Sequence, residues 1–137
     1  MTTRDLERLN GVRPLFVNIL KEAYKDCPYK FSIPRDGGVR TTKRQQEIYA
    51  YGRTDMSKSI RTYADGIIKK SKHQVKLDGY GHAVDFYHVP DGGGASWNKI
   101  ILKIIARHIQ KVALEKFDTK VIWGGDWKMK DYPHLQL

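Results

Sequence analysis

The C-terminal octapeptide KDYPHLQL combines residue types that can transfer protons and bind metals. Asp131 lies three positions before His134, and Pro133 between them restricts the backbone. A carboxylate held beside a histidine nitrogen can act as a base next to a metal ligand. Chain termini fray unless something holds them. We therefore expect the tail to be the last strand of the core, anchored by a metal at His134 and by the apolar side chains of Leu135 and Leu137.

A second group of such residues lies in SKHQVKLDGYGHAVDFYH, residues 71–88. Alternate residues of a strand share a face, so Gly81, Ala83 and Asp85 point the same way. The two small residues leave room in which Asp85 can reach a partner. An unpaired carboxylate in the apolar stretch AVDFY is costly. Either a bound cation or a salt bridge to a basic residue would compensate it.

These residues suggest a zinc site. Zinc prefers histidine nitrogen and carboxylate oxygen, and catalytic sites combine three protein ligands with one open position. His73, Asp85 and His134 supply three ligands, and Asp131 is then the candidate general base. His82 is an alternative first ligand, although residues 82 and 85 point to opposite faces of a regular strand.

Three separated motifs in one order resemble the zinc D-alanyl-D-alanine metallopeptidases: S-x-H at 71–73, G-x-A-x-D at 81–85 and D-x-P-H at 131–134. That family includes D,D-carboxypeptidases, D,D-dipeptidases and phage L-alanyl-D-glutamate endolysins. The resemblance extends over residues 39–137. It implies that His73, Asp85 and His134 bind a Zn²⁺ ion and that Asp131 is the general base.

The resemblance also assigns roles outside the ligand set. Arg40, in GGVRTTKRQQ, matches an arginine that polarises the scissile carbonyl or holds its oxyanion. Gln46, or its neighbour Gln45, matches a polar helix residue near the family's site. The segment IWGGDW, 122–127, resembles the strand and loop before the last motif.

The sequence departs from the family pattern in two places. His73 and Asp85 are further apart than usual, which an insertion around VKLDGY explains, since surface loops tolerate extra length. Gln136 stands where the family often has glutamate. That residue would support the ligands from behind, so its replacement weakens their orientation without removing the chemistry.

These residues must be positioned by helices and strands whose order in the sequence shows no regular βαβ alternation. This order predicts an α+β fold, with a small antiparallel sheet flanked by helices. The resemblance implies the hedgehog-like D-Ala-D-Ala metallopeptidase fold. Residues 5–26 have helical spacing, with a restart at Pro14. Thr42 and Gln45 have the form of a capping box that opens a helix through Tyr51. Gly52 would close this helix.

The rest of the chain predicts a loop, two strands and a long helix. Residues 53–72 are loop-like, 80–89 and 120–125 have strand character, and PDGGG at 90–94 is a turn. Ser96 is the predicted cap of a helix running from Trp97 to about Lys116. Its predicted core face consists of Ile100, Ile101, Ile104, Ile105, Ile109, Val112 and Ala113.

Composition limits the class of protein. A chain of 137 residues is expected to form one catalytic domain, residues 1–137. The single cysteine excludes an internal disulfide and a cysteine-based zinc cluster. The net charge of +10 favours an anionic partner, such as a cell-wall polymer, an outer-membrane surface or nucleic acid. The polar N-terminal sequence contains no signal peptide, so we expect synthesis in a host cytoplasm.

Together these features predict a phage endolysin that cleaves the L-alanyl-D-glutamate bond of the peptidoglycan stem peptide. We expect a monomer that reaches the wall or periplasm without a signal peptide. A D-alanyl-D-alanine carboxypeptidase or dipeptidase is the alternative within the family. Outside it, the chain could be a basic nucleic-acid-binding module with Tyr49, Tyr51, Tyr63 and Tyr80 as stacking residues, or a wall-binding domain that has lost catalysis.

Overall fold

The structure, a computed structural model, describes residues 1–137 and has the predicted α+β architecture. The helices are α1 (Thr3–Arg8), α2 (Pro14–Asp26), α3 (Thr42–Tyr49), α4 (Lys99–Phe117) and a 3₁₀ turn (Gly124–Asp126). The strands are β1 (Phe31–Ser32), β2 (Ala83–Asp85), β3 (Tyr87–His88), β4 (Ile122–Trp123) and β5 (His134–Gln136). No helix combines the length and the apolar character needed to cross a bilayer.

The C-terminal tail forms the central strand of the main sheet. Its three strands are antiparallel in the order β2-β5-β4, and a separate sheet pairs β1 with β3. The register places Asp85 opposite His134. Leu135 is fully buried, and Leu137 packs against the core. The prediction that the tail is a core strand is therefore confirmed.

The core is built mainly between helices α2 and α4. Both turn apolar stripes inward, and these join one cluster of 19 buried residues that includes Leu135 and Trp123 of the sheet. Ile100 and Ile104 were expected in the stripe of α4 but are exposed. At about 100° per residue they lie beside the stripe, which passes through Leu102, Ile105, Ala106, Ile109, Val112 and Ala113.

The predicted ends of several elements are shifted. Helix α3 is capped by Thr41, whose side chain accepts from the Arg44 N–H, and it ends at Tyr49. Helix α4 is capped by Asn98 instead of Ser96, because the Asn98 side chain accepts two first-turn N–H groups. In both cases the cap is the residue whose side chain accepts from N–H groups of the first turn.

The predicted strand 80–89 is broken in two. Strand β2 belongs to the main sheet and β3 to the small one, with Phe86 between them. The Phe86 N–H donates to the carbonyl of Pro133 at 3.0 Å. The chain therefore passes from one sheet to the other directly after Asp85. Residues 53–72, by contrast, contain no helix and no regular strand, as the sequence predicted.

Asp5 ties the N-terminal helix to strand β1. It is 1% exposed, and its carboxylate accepts from the Thr2 N–H and hydroxyl, the Ser32 hydroxyl and the Ile33 N–H. Burial alone would raise the pKa of Asp5, but these hydrogen bonds, led by that of Ile33, hold it below the ordinary value of 3.8. The ionised carboxylate is thus a structural anchor.

We predict that Asp5→Asn destabilises the protein by about 2–3 kcal/mol at neutral pH, since it removes hydrogen bonds to a charged acceptor. The folded pKa lies below the unfolded value, so this contribution is complete above pH 3.8 and is lost as the pH falls through the folded pKa. Urea unfolding at neutral and acidic pH measures it. The exposed Asp91→Asn is the matched control, and an equal loss at both pH values would contradict the prediction.

Candidate metal centre

His73, Asp85 and His134 meet in one buried cluster. One ligand atom from each lies within 4.8 Å of the others. His73 Nε2 is 3.3 Å from Asp85 Oδ1, and His134 Nδ1 is 3.5 Å from the same oxygen. The structure thus brings together the three residues that the sequence selected as ligands.

Strand pairing and a local turn explain how these distant residues meet. Asp85 and His134 are direct partners across β2 and β5, so their side chains share one face of the sheet. His73 lies outside any strand. Its N–H donates to the Ser71 hydroxyl at 3.2 Å, and its carbonyl accepts from the Arg40 N–H at 2.9 Å. The serine of the S-x-H motif therefore shapes the turn that carries the ligand.

The hydrogen bonds of the two histidines leave one lone pair on each facing Asp85. His73 Nδ1 lies 2.8 Å from the carbonyl oxygen of Gly38, which can only accept, so Nδ1 carries the proton. His134 Nε2 lies 2.8 Å from Gln136 Oε1 and donates likewise. In the neutral rings the unprotonated nitrogens, His73 Nε2 and His134 Nδ1, then face the carboxylate of Asp85. Lone pairs and negative charge converge where a cation would sit, so this donor set fits a zinc ion.

Arg40 neutralises the other side of Asp85. Its Nη2 donates to Asp85 Oδ2 at 2.9 Å, and both side chains are nearly buried. Burial alone would raise the pKa of Asp85, but His73, His134 and Arg40 hold it well below its usual range. The sequence left a cation or a salt bridge open as compensation for this acid. The structure supplies the salt bridge and leaves Oδ1 facing the histidines.

Arg40 itself is fixed by two further bonds. Its Nε donates to the carbonyl of Asp36 at 3.0 Å and its Nη1 to Gln45 Oε1 at 3.2 Å. Gln45 is fully buried in α3, so of the two glutamines suggested by the sequence it is Gln45, and not Gln46, that contacts the site. A guanidinium has five N–H donors, and these contacts leave some of them free for another acceptor.

Asp131 stands at the rim of the cluster. Its side chain is 49% exposed, and its Oδ2 lies 3.8 Å from His134 Nδ1. Removal of surrounding water and the negative charge of Asp85 raise the pKa of Asp131 above its ordinary value. Its carboxylate is therefore a stronger base than that of an ordinary aspartate, and it is open to solvent. The backbone is held by a bond from the Asp131 N–H to the Gly124 carbonyl at 2.9 Å.

The ring of His134 is buried between Asp85 and Trp127. Burial works to lower the pKa of His134, but its contact with Asp85 raises it above the ordinary value. Trp127 covers the ring, with the two ring centroids 5.1 Å apart.

His82 is not in the cluster: its Nε2 lies 2.6 Å from Asp78 Oδ2 at the protein surface.

The turn at residues 36–38 contributes to the site through backbone atoms alone, a role that the sequence did not reveal. The carbonyls of Asp36, Gly37 and Gly38 accept from Arg40 Nε, the Asp85 N–H and His73 Nδ1 in turn. A side chain at Gly38 would collide with the Arg8 carbonyl, since its Cβ would lie 2.0 Å from that oxygen. The pair of glycines in RDGGVR was the available signal, but glycines do not reveal what their carbonyls bind.

We predict that the chain binds one divalent metal ion, and that His73→Ala and His134→Ala each abolish stoichiometric binding. Each substitution removes one of three ligands from a preformed set. Elemental analysis of dialysed protein measures the occupancy, and circular dichroism checks the fold. His82→Ala is the matched control and should retain the metal. If His82→Ala loses it and His73→Ala keeps it, the ligand assignment is wrong.

Gln136 provides a second test of the same geometry. We expect Gln136→Ala to lower metal affinity about 10–100-fold, the usual effect of removing a residue that orients a ligand histidine. Gln136→Glu should keep or raise the affinity, because a carboxylate also accepts from His134 Nε2. Competition with a chromophoric chelator gives the affinities. Unchanged binding in the alanine variant would show that Gln136 does not orient His134.

Comparison with known proteins identifies the family. The sequence profile described as D-alanyl-D-alanine carboxypeptidase matches residues 68–137, which contain all three proposed ligands. The crystal structure of the L-Ala D-Glu endopeptidase ChiX of Serratia marcescens is similar along the whole chain, with a TM-score of 0.73 and 33% sequence identity over 100% of this chain and 88% of that one. No curated protein matches the sequence. The resemblance in the motifs and the predicted fold are thus confirmed, and the chain belongs to the D-alanyl-D-alanine carboxypeptidase family of metallopeptidases.

Proposed function

We propose that this protein is a zinc-dependent peptidoglycan peptidase that cleaves the L-alanyl-D-glutamate bond of the stem peptide. The observation that carries the proposal is the buried His73, Asp85 and His134 cluster with Asp131 at its open rim. The choice of bond is supported by ChiX, which is described as an L-Ala D-Glu endopeptidase and shares 33% of its sequence with this chain. Residues 1–137 would act as one catalytic domain and as a monomer.

His73, Asp85 and His134 would hold the zinc ion, which would supply a Lewis acid for the scissile carbonyl and lower the pKa of the attacking water. The proton transfers are carried out by Asp131. Asp131 takes a proton from that water at a carboxylate oxygen, the water oxygen bonds to the carbonyl carbon, and the carbon–nitrogen bond breaks. Asp131 then delivers the proton to the leaving amine. Its raised pKa suits both steps.

Arg40 has two roles in this proposal. It holds Asp85 in place through the 2.9 Å ion pair, and its free N–H groups stabilise the oxyanion that forms on the carbonyl. Asp36, Gln45 and Asp85 fix the guanidinium before substrate arrives, so little reorganisation is needed. Loss of one oxyanion donor typically costs about 10²–10³ in rate.

The biological part of the proposal is a phage endolysin. Such an enzyme is made in the host cytoplasm and reaches the wall or periplasm through a partner that permeabilises the membrane. The net charge of +10 supports contact with an anionic wall polymer or outer-membrane surface. Expression in a bacterial host tests this role: lysis should require a co-expressed pore-forming protein. Lysis without that protein, or no lysis with it, would count against the endolysin role.

The family profile favours a second candidate activity, removal of a terminal D-alanine, because it is described as D-alanyl-D-alanine carboxypeptidase. Mass spectrometry of digested peptidoglycan separates the two. New N-terminal D-glutamate ends support the endopeptidase. Loss of single D-alanine residues would assign the carboxypeptidase, and activity on free D-alanyl-D-alanine alone would assign the dipeptidase. No cleavage by the zinc-loaded protein would refute all three.

We predict that Asp131→Asn lowers the rate of peptidoglycan hydrolysis about 10²–10⁴-fold, the usual contribution of a general base. The amide has the shape of the carboxylate but cannot take a proton. Zinc content should be unchanged, because Asp131 is not among the three ligands. The exposed Glu115→Gln is the control and should be fully active. If Asp131→Asn also loses zinc, Asp131 is a ligand and the assignment of the base fails.

A further inference from the structure

Exposed aliphatic side chains concentrate on two neighbouring turns beside the metal centre. Ile67 and Ile68 are 61% and 92% exposed, and on the second turn Leu77 is fully exposed and Val75 about half. We call residues 65–70 and 74–80 the docking turns. Water-exposed aliphatic residues are ordinary singly, but a local group of them marks an interaction surface.

The docking turns are held in shape by hydrogen bonds. Asp65 Oδ1 accepts from the N–H groups of Ile67, Ile68 and Lys69 at 2.9–3.0 Å, which fixes the first turn. In the second, the Lys76 N–H donates to the Tyr80 carbonyl at 2.9 Å. The backbone therefore presents the aliphatic side chains outward.

Gln74 joins the two turns. It is 3% exposed, its Oε1 accepts from the Ser71 N–H at 2.8 Å, and its Nε2 donates to the Gly66 carbonyl at 2.9 Å and towards the Thr42 hydroxyl at 3.3 Å. Because Gly66 belongs to the first turn and Gln74 to the second, this buried amide fixes the two turns to each other.

Lysines surround the aliphatic side chains without acidic partners. Lys69, Lys70, Lys72 and Lys76 make no ion pair within 4.0 Å, although eleven such pairs occur elsewhere in the protein. A cavity of about 600 Å³ lies between them, lined by Lys70, Lys72, Lys76 and the two aliphatic residues of the second turn. Its one acid, Asp78, is engaged by the Tyr80 N–H and by His82. The cavity is therefore positively charged and partly apolar.

We propose that the docking turns bind the surface of a membrane rich in anionic phospholipid. The lysines contact the headgroup phosphates, and Ile68 and Leu77 enter the boundary with the acyl chains. This combination of basic and aliphatic groups is the pattern of a protein that lies on a bilayer without crossing it.

Charge and shape favour a lipid surface over another protein. A stable protein interface needs about 800 Å² of complementary surface per partner. The two turns instead offer separate aliphatic side chains, with a cationic cavity beside the second turn. A second copy of the chain would bring unpaired lysines against unpaired lysines. An anionic bilayer offers phosphates to the lysines and an apolar boundary to the aliphatic side chains. The inference does not depend on which peptide bond the enzyme cleaves.

Sedimentation with vesicles tests the proposal. The full chain should bind vesicles of phosphatidylglycerol mixed with phosphatidylcholine and should not bind pure phosphatidylcholine vesicles. The variant Lys69→Gln, Lys70→Gln, Lys76→Gln should bind about a hundredfold more weakly, since each lysine near an anionic surface contributes about fivefold. A matched variant, Lys21→Gln, Lys111→Gln, Lys128→Gln, loses the same charge elsewhere and should bind nearly as the wild type. Equal losses in both variants would overturn the proposal in favour of non-specific attraction.

Insertion is tested with the aliphatic residues. Ile68→Ser with Leu77→Ser should weaken binding at least tenfold, because apolar side chains leave water on insertion. Ile100→Ser with Leu114→Ser changes two exposed aliphatic residues of α4 and should have no effect. Both variants should hydrolyse soluble stem-peptide fragments at the wild-type rate. A loss of that rate in Ile68→Ser with Leu77→Ser alone would assign the surface to substrate, and a dimer that this variant dissociates would assign it to a second copy. Either outcome, or no vesicle binding by the wild type, overturns the proposal.

Discussion

The buried carboxylate of Asp85 is the constraint on which the rest of the site depends. A carboxylate that is 7% exposed must be compensated within the protein. Arg40 takes one oxygen, and the other faces His73 and His134. Removing Arg40 would leave the charge of Asp85 uncompensated in the interior, which is more costly than losing a surface ion pair. The groups of the site thus depend on one another, and a cation beside Oδ1 would complete the compensation of Asp85.

Backbone carbonyls, more than side chains, hold these groups at the right distances. The turn at residues 36–38 offers three successive acceptors, one each to Arg40, Asp85 and His73. Such a turn must pass close to helix α1, and only glycine at position 38 allows it. Because α1 is itself fixed by Asp5, the N-terminal helix and the metal centre share one rigid support. This explains how residues outside the matched family segment contribute to the site.

The sequence predicted the ligand cluster better than the elements that carry it. His73, Asp85 and His134 have side chains whose chemistry is specific, and the structure places them in one buried cluster. The passage of the chain from one sheet to the other at Phe86 could not be predicted, because the strand partners of β2 and β3 lie near opposite ends of the chain. The ion pair of Asp85 with Arg40 joins residues far apart in sequence, and only the fold decides which basic residue it is.

The segment between α3 and β2 is irregular but is not loosely held. Strand ladders are replaced there by buried side chains that bind backbone groups: Gln45 holds the Ala64 carbonyl, and Gln74 holds Ser71 and Gly66. Each buried amide can satisfy several backbone groups at once, which a loop without secondary structure requires. His73 directly precedes Gln74, so the bonds that order the docking turns also position a proposed metal ligand. A long connection without regular secondary structure can therefore hold His73 in place and still expose aliphatic side chains, because buried amides bind its backbone groups.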